Sequence, residues 1–429
     1  MSEDSKEKSA LVPRRRFPEF REEWASSPTS ELYSFKGNNS LSRDKLNYTG
    51  GSFRNIHYGD IHTKFAPHFR VDAESVPYIN DGESHSTIRP ENYCMAGDMV
   101  FADASEDLAD IGKAIEIIEA GDVPLVSGLH TILARPNGAP LAVGFGAYLF
   151  SSEGVRKQIQ REAQGAKVLG LSATRLRNVK LPHPRQTAEQ QKIADCLSSL
   201  DELIAAEANK LDALKTHKKG LMQQLFPAEG ETVPRLRFPE FREAGEWETY
   251  SLGCFIEEYR EKSSSQDEYE VLTSARNGLI RQRDYYDNDR ITERDNVGFN
   301  VIPPNYLTYR SRSDDRRFYF NENNLGVTGI ISTYYPVFRI NGGSNKFFIE
   351  LLSHYVELVG KYSVGTSQTV LSLNEVRRIK LPIPKEPEQQ KIADCLSALD
   401  DLIAAQAQKI EQLKRHKKGL MQQLFPVLG

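Results

Sequence analysis

Apolar residues fall at alternating steps of four and three along one stretch of the chain: Ile193, Leu197, Leu200, Ile204, then Leu211, Leu214, Leu221 and Leu225, with Glu207 and Lys218 at two of the steps. A helix with one stripe turned toward a partner has this spacing, so the stretch predicts a coiled-coil rod. The pattern returns 199 residues later at Ile392, Leu396, Leu399, Ile403, Gln406, Ile410, Leu413, Lys417, Leu420 and Leu424. The repeat covers forty residues, Ala188 to Pro227 and Pro387 to Pro426, of which 31 are identical. Glu207 and Gln406 place a polar group at the same seam position, where such residues fix register at some cost in stability. Thr187 and Gln190 have the spacing of a capping box, Pro387 suits a first helical position, and each stretch runs into a proline, Pro227 or Pro426. Gly220 and Gly419 weaken the last turns, which ends the expected helices near Lys219 and Lys418. At about 1.5 Å per residue the rods reach roughly 45 to 58 Å, and they are expected to pair with each other.

A second repeat frames the first. The phrase VPRRRFPEFREEW, Val12 to Trp24, returns after the first rod as VPRLRFPEFREAGEW, Val233 to Trp247. Between lead-in and rod lie two dissimilar inserts, about Ala25 to Pro184 and Glu248 to Pro384. The frame is circular in character: the second rod ends the chain, and the lead-in that would follow it stands at the N-terminus. The two chain ends are therefore expected to be neighbours.

Within the first insert, β-type runs at 53–58, 76–79, 99–102, 129–134 and 142–150 alternate with Gly, Asp, Asn and Pro turns, and a helix is expected from Ser152 to Gln164. The second insert has strand candidates at 269–273, 290–291, 305–309, 325–332 and 335–340, and a helix from Lys346 to Val359. Both close alike: the segments from Gln164 and Val364 align at an offset of 200, matching Gly165 with Gly365, Leu171 with Leu371, Arg177 with Arg377 and Lys180 with Lys380. Two modules of one fold with different surfaces suit the reading of two short targets.

Composition narrows this only loosely. The 429 residues have length for two or three domains, and 39 % hydrophobic with 27 % charged residues describes a soluble globular protein. No apolar run approaches the length of a membrane span, and the acidic N-terminus is unlike a signal peptide. Residues 1–11 read as disordered. Cys94, Cys196, Cys254 and Cys395 form no CxxC pair, so free thiols in a reducing cytoplasm are expected. A formal charge of −4 argues against an isolated tight binder of nucleic acid, though not against one that shares the work with a basic partner.

Contacts to DNA need cations for phosphate, and amide, guanidinium, hydroxyl or aromatic groups for base edges. In the second insert Ser274, Arg276, Asn277, Arg281, Gln282 and Arg283 form one such stretch, and Arg310, Arg312, Arg316 and Arg317 another. Arginine suits bidentate recognition of guanine or phosphate, whereas pairing with Asp284, Asp314 and Asp315 on a solvated loop is the plainer alternative. The first insert offers Tyr58, His62, Thr63 and Lys64, with Lys167 in a turn. His57, His62 and His68 match no common zinc spacing and read as polar loop histidines, so no metal is expected.

The chain resembles the specificity subunits of type I restriction-modification systems. The resemblance covers nearly everything beyond residue 11 and rests most on Leu181-Pro182-His183-Pro184 with Glu189-Gln190-Gln191-Lys192-Ile193, and on Leu381-Pro382-Ile383-Pro384 with Glu388-Gln389-Gln390-Lys391-Ile392. It implies an α+β fold: two similar α/β target-recognition domains, 12–184 and 228–384, separated by two long antiparallel coiled-coil helices, 185–227 and 385–429, with circular, pseudo-two-fold symmetry. It further implies that each domain reads one half of a bipartite site in double-stranded DNA while the paired rods act as a ruler. Two methyltransferase subunits would dock on the frame, and restriction (translocase) subunits would join through that complex. S-adenosylmethionine, ATP and magnesium would then belong to the partners, with no cofactor and no catalysis here.

Absent motifs point the same way. No Gly-rich cofactor loop follows a strand, Pro303-Pro304-Asn305 has the wrong order for a methyltransferase signature, and no GxxxxGK[ST] loop or persuasive nuclease cluster occurs. A divergent methyltransferase or nuclease acting alone would have to bind S-adenosylmethionine or metal. A scaffold that reads nothing would protect no DNA sequence selectively.

Overall fold

The computed structural model describes residues 11–83, 88–138, 141–276, 278–285, 295–366 and 368–426. The chain divides into two compact units, one running to Ala206 and resuming at Lys409, the other Glu207–Gln408. Each rod is one unbroken helix, Thr187–Leu225 and Glu386–Leu424, and each contributes one half to each unit.

Ile193, Leu197, Ile392 and Leu396 are buried in the unit cores, while Leu200, Ile204, Leu211, Leu214, Leu399, Ile403 and Leu413 are half-covered and Ile410 is buried. Cross-rod pairs show the helices antiparallel. Lys417 Nζ donates to Asp201 (2.5 and 2.7 Å) in one unit, and Lys218 Nζ donates to Asp400 (2.7 and 2.8 Å) and Glu350 (2.7 Å) in the other. At the polar seam position Gln406 Nε2 donates to the Glu207 backbone oxygen (3.0 Å) and its Oε2 (2.5 Å), a pairing that only one register allows.

Both helices pass Gly220 and Gly419 and continue to Leu225 and Leu424, further than those glycines suggested. Burial explains the difference. Leu225 and Phe226 lie in the core of the second unit, Leu424 and Phe425 in that of the first, and this anchorage outweighs roughly 1 kcal/mol of glycine penalty. The expected capping box is also corrected. The Gln190 side chain accepts from Ala142 N (2.8 Å) and donates to Pro184 O (2.8 Å), and backbone N–H groups of Glu189 and Gln190 turn to Gln186 O. Gln389 does the same with Ser344 N (3.3 Å) and Pro384 O (2.9 Å). These glutamines tie insert to rod. Pro387 stands second in its helix.

The repeated lead-in is a latch. Arg16 forks onto buried Glu189 with two 2.7 Å bonds, and Trp24 Nε1 donates to the same carboxylate (3.2 Å). Arg237, Glu388 and Trp247 repeat this at 2.7, 2.7 and 3.3 Å. Trp24 packs edge-on to Phe425 at 6.1 Å and Arg15 N donates to Gln423 O, so the described ends of the chain are neighbours as expected. Leu11 O accepts from Trp24 N, whereas residues 1–10 lie outside the described residues.

Each insert opens and closes at one point. Ala25–Pro28 pairs antiparallel with Lys180–His183, and Glu248–Ser251 pairs with Lys380–Ile383 in the same register. Inside the first, a five-stranded sheet runs in the order Tyr33–Lys36, Thr131–Pro136, Met99–Ala102, Ala114–Glu119, His68–Arg70. A four-stranded sheet is built from Leu125–Ser127, Arg54–Ile56, Tyr78–Ile79 and Leu46–Asn47. The second insert has four strands in each, Ile256–Tyr259, Val337–Ile340, Leu307–Tyr309, Phe320–Glu322, and Gly278–Arg281, Glu270–Ala275, Gly329–Ile331, Asn300–Ile302.

The run 142–150, expected as a strand, is instead the helix Phe145–Ser151. Every residue from Phe145 to Phe150 is buried, so no periodicity marks its type. Its N-terminus is held by the Glu116 carboxylate, which accepts from Gly144 N and Ala147 N at 2.7 Å each. Burial pushes that carboxyl up to about 7 despite these donors. The helix expected over 152–164 is Glu153–Glu162. The one expected over 346–359 breaks at Tyr355, whose hydroxyl donates to Pro227 O (2.7 Å), giving Asn345–His354 and Val356–Lys361. The strand candidate 290–291 lies outside the described residues.

Candidate nucleic-acid interface

Beyond the central sheets both inserts share a small lattice. In the first, Asp103 N donates to His130 O (3.0 Å), Leu171 N donates to Asp103 O (2.8 Å), and Ala104–Ser105 pairs with Leu169–Gly170. In the second, Ser311 N donates to Tyr334 O (3.1 Å), Leu371 N donates to Ser311 O (2.9 Å), and Arg312–Ser313 pairs with Thr369–Val370. The returning loop holds Gly165 or Gly365 at φ +130° or +116°, with the carbonyl of Val168 or Gln368 where a Cβ would stand. Only glycine fits there, which explains the aligned pair. On this common lattice Ser105 and Ser313 match, each accepting from the N–H of an aspartate two residues on, Asp107 or Asp315, while Asp103, Ala104 and His130 are replaced by Ser311, Arg312 and Tyr334.

The second insert presents a cleft of about 350 Å³ lined by Ser274, Arg276, Arg310, Arg312, Arg317 and Tyr319, with Asp314 and Asp315. Two sequence stretches thus meet in one place. Arg276 pairs with Asp315 (2.9 Å) and lies over Tyr319 (5.5 Å), and Arg317 pairs with Glu357 (3.0 Å). Hydrogen bonds from Ser313 and the Arg317 backbone hold the Asp315 carboxyl below its usual range. The Arg312 guanidinium lies 4.0 Å from the centre of the Tyr334 ring. Neither it nor exposed Arg310 has a hydrogen bond or ion pair among the described residues. Ser274 is buried and accepts from Asn321 Nδ2 (2.7 Å). Arg316, at φ +59°, reaches Gly365 O at 3.4 Å.

Other sequence candidates sit apart. Arg281 and Arg283 both pair with Glu270 (2.8 and 3.1 Å), outside the cleft lining, and Gln282 opens the short helix Gln282–Tyr285 beside them. Asn277 lies outside the described residues.

In the first insert the corresponding face is aromatic. Tyr58 starts the helix Tyr58–Thr63, capped by His57 Nδ1 accepting from Gly59 N (3.1 Å). Its ring meets His130 at 5.3 Å and His62 at 6.1 Å. His130 Nδ1 lies 3.2 Å from Asp103 Oδ1, and burial raises the Asp103 carboxyl. His62 Nε2 bonds Ala104 O (2.9 Å), while Thr63 Oγ1 donates back to Gly59 O (2.8 Å). Lys64 is engaged by buried Asp60 (3.1 Å) and the Tyr48 ring (5.6 Å). Burial lowers His57, with nearby Arg43 adding to it. Lys167 is exposed on the returning loop and has no ion pair among the described residues. Sequence reasoning missed His130, Asp103, Tyr319 and Tyr334. The signal available was the turn character of Gly128-Leu129-His130 and Ser332-Thr333-Tyr334, each lying between two strands. Among the described residues no group of His, Cys, Asp and Glu could hold a metal ion, and no helix is long and apolar enough to cross a membrane.

Comparison with known proteins agrees with this architecture. The model of the type I restriction modification DNA specificity domain matches residues 127–216 and 245–415. The MjaX specificity subunit of a type I restriction enzyme from Methanocaldococcus jannaschii is 25% identical over 371 residues, covering 83% of each chain. The MjaVIII specificity subunit from the same organism is 25% identical over 310 residues, covering 65% of this chain and 69% of its own. In fold, the chain is similar to the S subunit of a type I system from M. genitalium (TM-score 0.55, 15% identity, 98% and 100% covered). It is similar also to a chain from a structure of a type I system concerned with complex assembly and conformational transition (TM-score 0.56, 14% identity, 94% and 98% covered). With the family match spanning more than half its length, the chain belongs to the type I restriction-modification DNA specificity subunits, the non-catalytic members of those systems.

Proposed function

We propose that the two inserts, within 12–184 and 228–384, are target-recognition domains that each read one half of a bipartite site in double-stranded DNA. The observation that carries this is the shared lattice with unlike side chains: Ser311, Arg312 and Tyr334 in one insert stand where Asp103, Ala104 and His130 stand in the other. A protein that only spaced its partners would have no need of two such faces. The antiparallel rods, 185–227 and 385–429, set the separation of the half-sites, and the repeated frame docks two methyltransferase subunits, through which restriction subunits join. S-adenosylmethionine, ATP and magnesium are bound by those partners, and the complex works on cytoplasmic DNA.

The test exchanges the first insert between its paired strands, Ala25 to Pro184, for that of a relative. One half of the methylated motif should change while the other half and the spacer stay. Both halves changing together would defeat the two-reader proposal.

A further inference from the structure

We infer that Arg312, seated over the Tyr334 ring, is the base-reading group of the second insert and selects a guanine. This rests on the reading of that insert as a DNA-recognition domain. Bidentate contact with guanine O6 and N7 needs a guanidinium whose plane is fixed and whose donors are open. Arg312 meets both needs: its guanidinium is seated over the ring, 4.0 Å from its centre, which restrains it, and no carboxylate takes its donors among the described residues. Other arginines of the cleft lack one or the other. Arg276 and Arg317 are paired with Asp315 and Glu357, and Arg310 is exposed with no side-chain partner among the described residues to orient it, which suits a phosphate better than a base.

The cleft is also of mixed charge. Asp314 and Asp315 stand among its arginines, and a carboxylate repels phosphate while offering an acceptor to a base edge. The backbone supplies an independent argument. Tyr334 stands in the turn before Val337–Ile340 and Arg312 opens the strand Arg312–Ser313, the two segments joined by the Ser311 bond, and the bonds of the first insert place His130 and Ala104 at the same two points. There the Ala104 side chain has no donor, so no side chain of the first insert can make the bidentate contact with guanine from this point.

The experiment expresses the full chain with its methyltransferase subunits in a host lacking DNA methylation and reads the methylated motif genome-wide. With the native chain a bipartite motif is expected, and its absence would sink the two-reader proposal itself. Arg312→Ala should make one guanine in one half-site degenerate, a loss of roughly 5- to 150-fold in discrimination at that base, leaving the other half and the spacer intact. Tyr334→Ala should relax the same base to a lesser degree. An unchanged motif in Arg312→Ala, or methylation weakened equally on all sequences, overturns the inference and makes Arg312 silent or a phosphate contact. If Arg312→Ala does not fold, Arg312→Gln decides: glutamine pairs with adenine N6 and N7, so preference at that position should move from guanine to adenine, and retention of guanine overturns the inference.

Discussion

The two latches and the two lattice faces are both repeated features, yet they repeat in different ways. Arg16, Glu189 and Trp24 recur as Arg237, Glu388 and Trp247 with side chain matching side chain. At the faces the backbone recurs, Asp103 N to His130 O matching Ser311 N to Tyr334 O, and with it one turn in which Ser105 or Ser313 accepts from Asp107 N or Asp315 N; Asp103, Ala104 and His130 are otherwise exchanged for Ser311, Arg312 and Tyr334. A side chain repeats where it bonds the frame to itself or closes a turn, as Ser105 and Ser313 do, and it varies where only the main chain is needed to keep the fold. That difference separates structural positions from those free to vary without reference to any relative.

The largest effect should come from breaking a latch. Glu388→Ala leaves Arg237, whose side chain is 10% exposed, without its buried partner and should cost about 3 kcal/mol, read as a lower denaturant midpoint. Glu189→Ala should cost a similar amount, since Arg16 is 12% exposed. Where such variants still fold, their methylated motif should be that of the native chain; a changed motif would erase the line between latch and face.

A smaller effect sharpens the contrast within the first insert. The Glu116 carboxyl titrates at about 7 when folded and near 4.5 when unfolded, so the folded state holds its proton longer. Its contribution is complete below the unfolded value and is lost as pH rises through 7. Glu116→Gln, which loses one acceptor for the helix N-terminus, should destabilise by about 1 kcal/mol at pH 5 and by less at pH 8. Denaturant midpoints at the two pH values check this, and a penalty that grows with pH would show the carboxylate to be charged in place. The smallest effect is expected at Arg281, which is engaged by Glu270 outside the cleft. Arg281→Ala should leave the motif and its salt dependence unchanged, and degeneracy at any base would extend the reading face beyond the lattice.

Rods and lead-ins were legible because repetition and heptad spacing are properties of the sequence itself. The helix Phe145–Ser151 was not, because a segment buried on every side shows no period and its cap, Glu116, is about 30 residues away. Gly220 misled for a related reason: the anchorage of Leu225 and Phe226 lies in an insert core that the rod's own sequence does not display. The candidate faces were half legible. The arginine stretches could be read directly, but the seating of Arg312 over Tyr334 and the contact of His130 with Tyr58 join residues far apart in the chain.

The pairing of each insert's first and last strands has a topological consequence. Pro28 and Lys180 are partners across 152 positions, Ser251 and Lys380 across 129. The entropy of closing two such loops differs by only about 0.1 kcal/mol, because it grows with the logarithm of length. The frame therefore meets every insert at the same narrow doorway and is nearly indifferent to how much chain lies beyond it. As far as loop closure goes, residues can be gained, lost or wholly replaced inside an insert at little cost, because the two short strand pairs are all that the chain must bring back together.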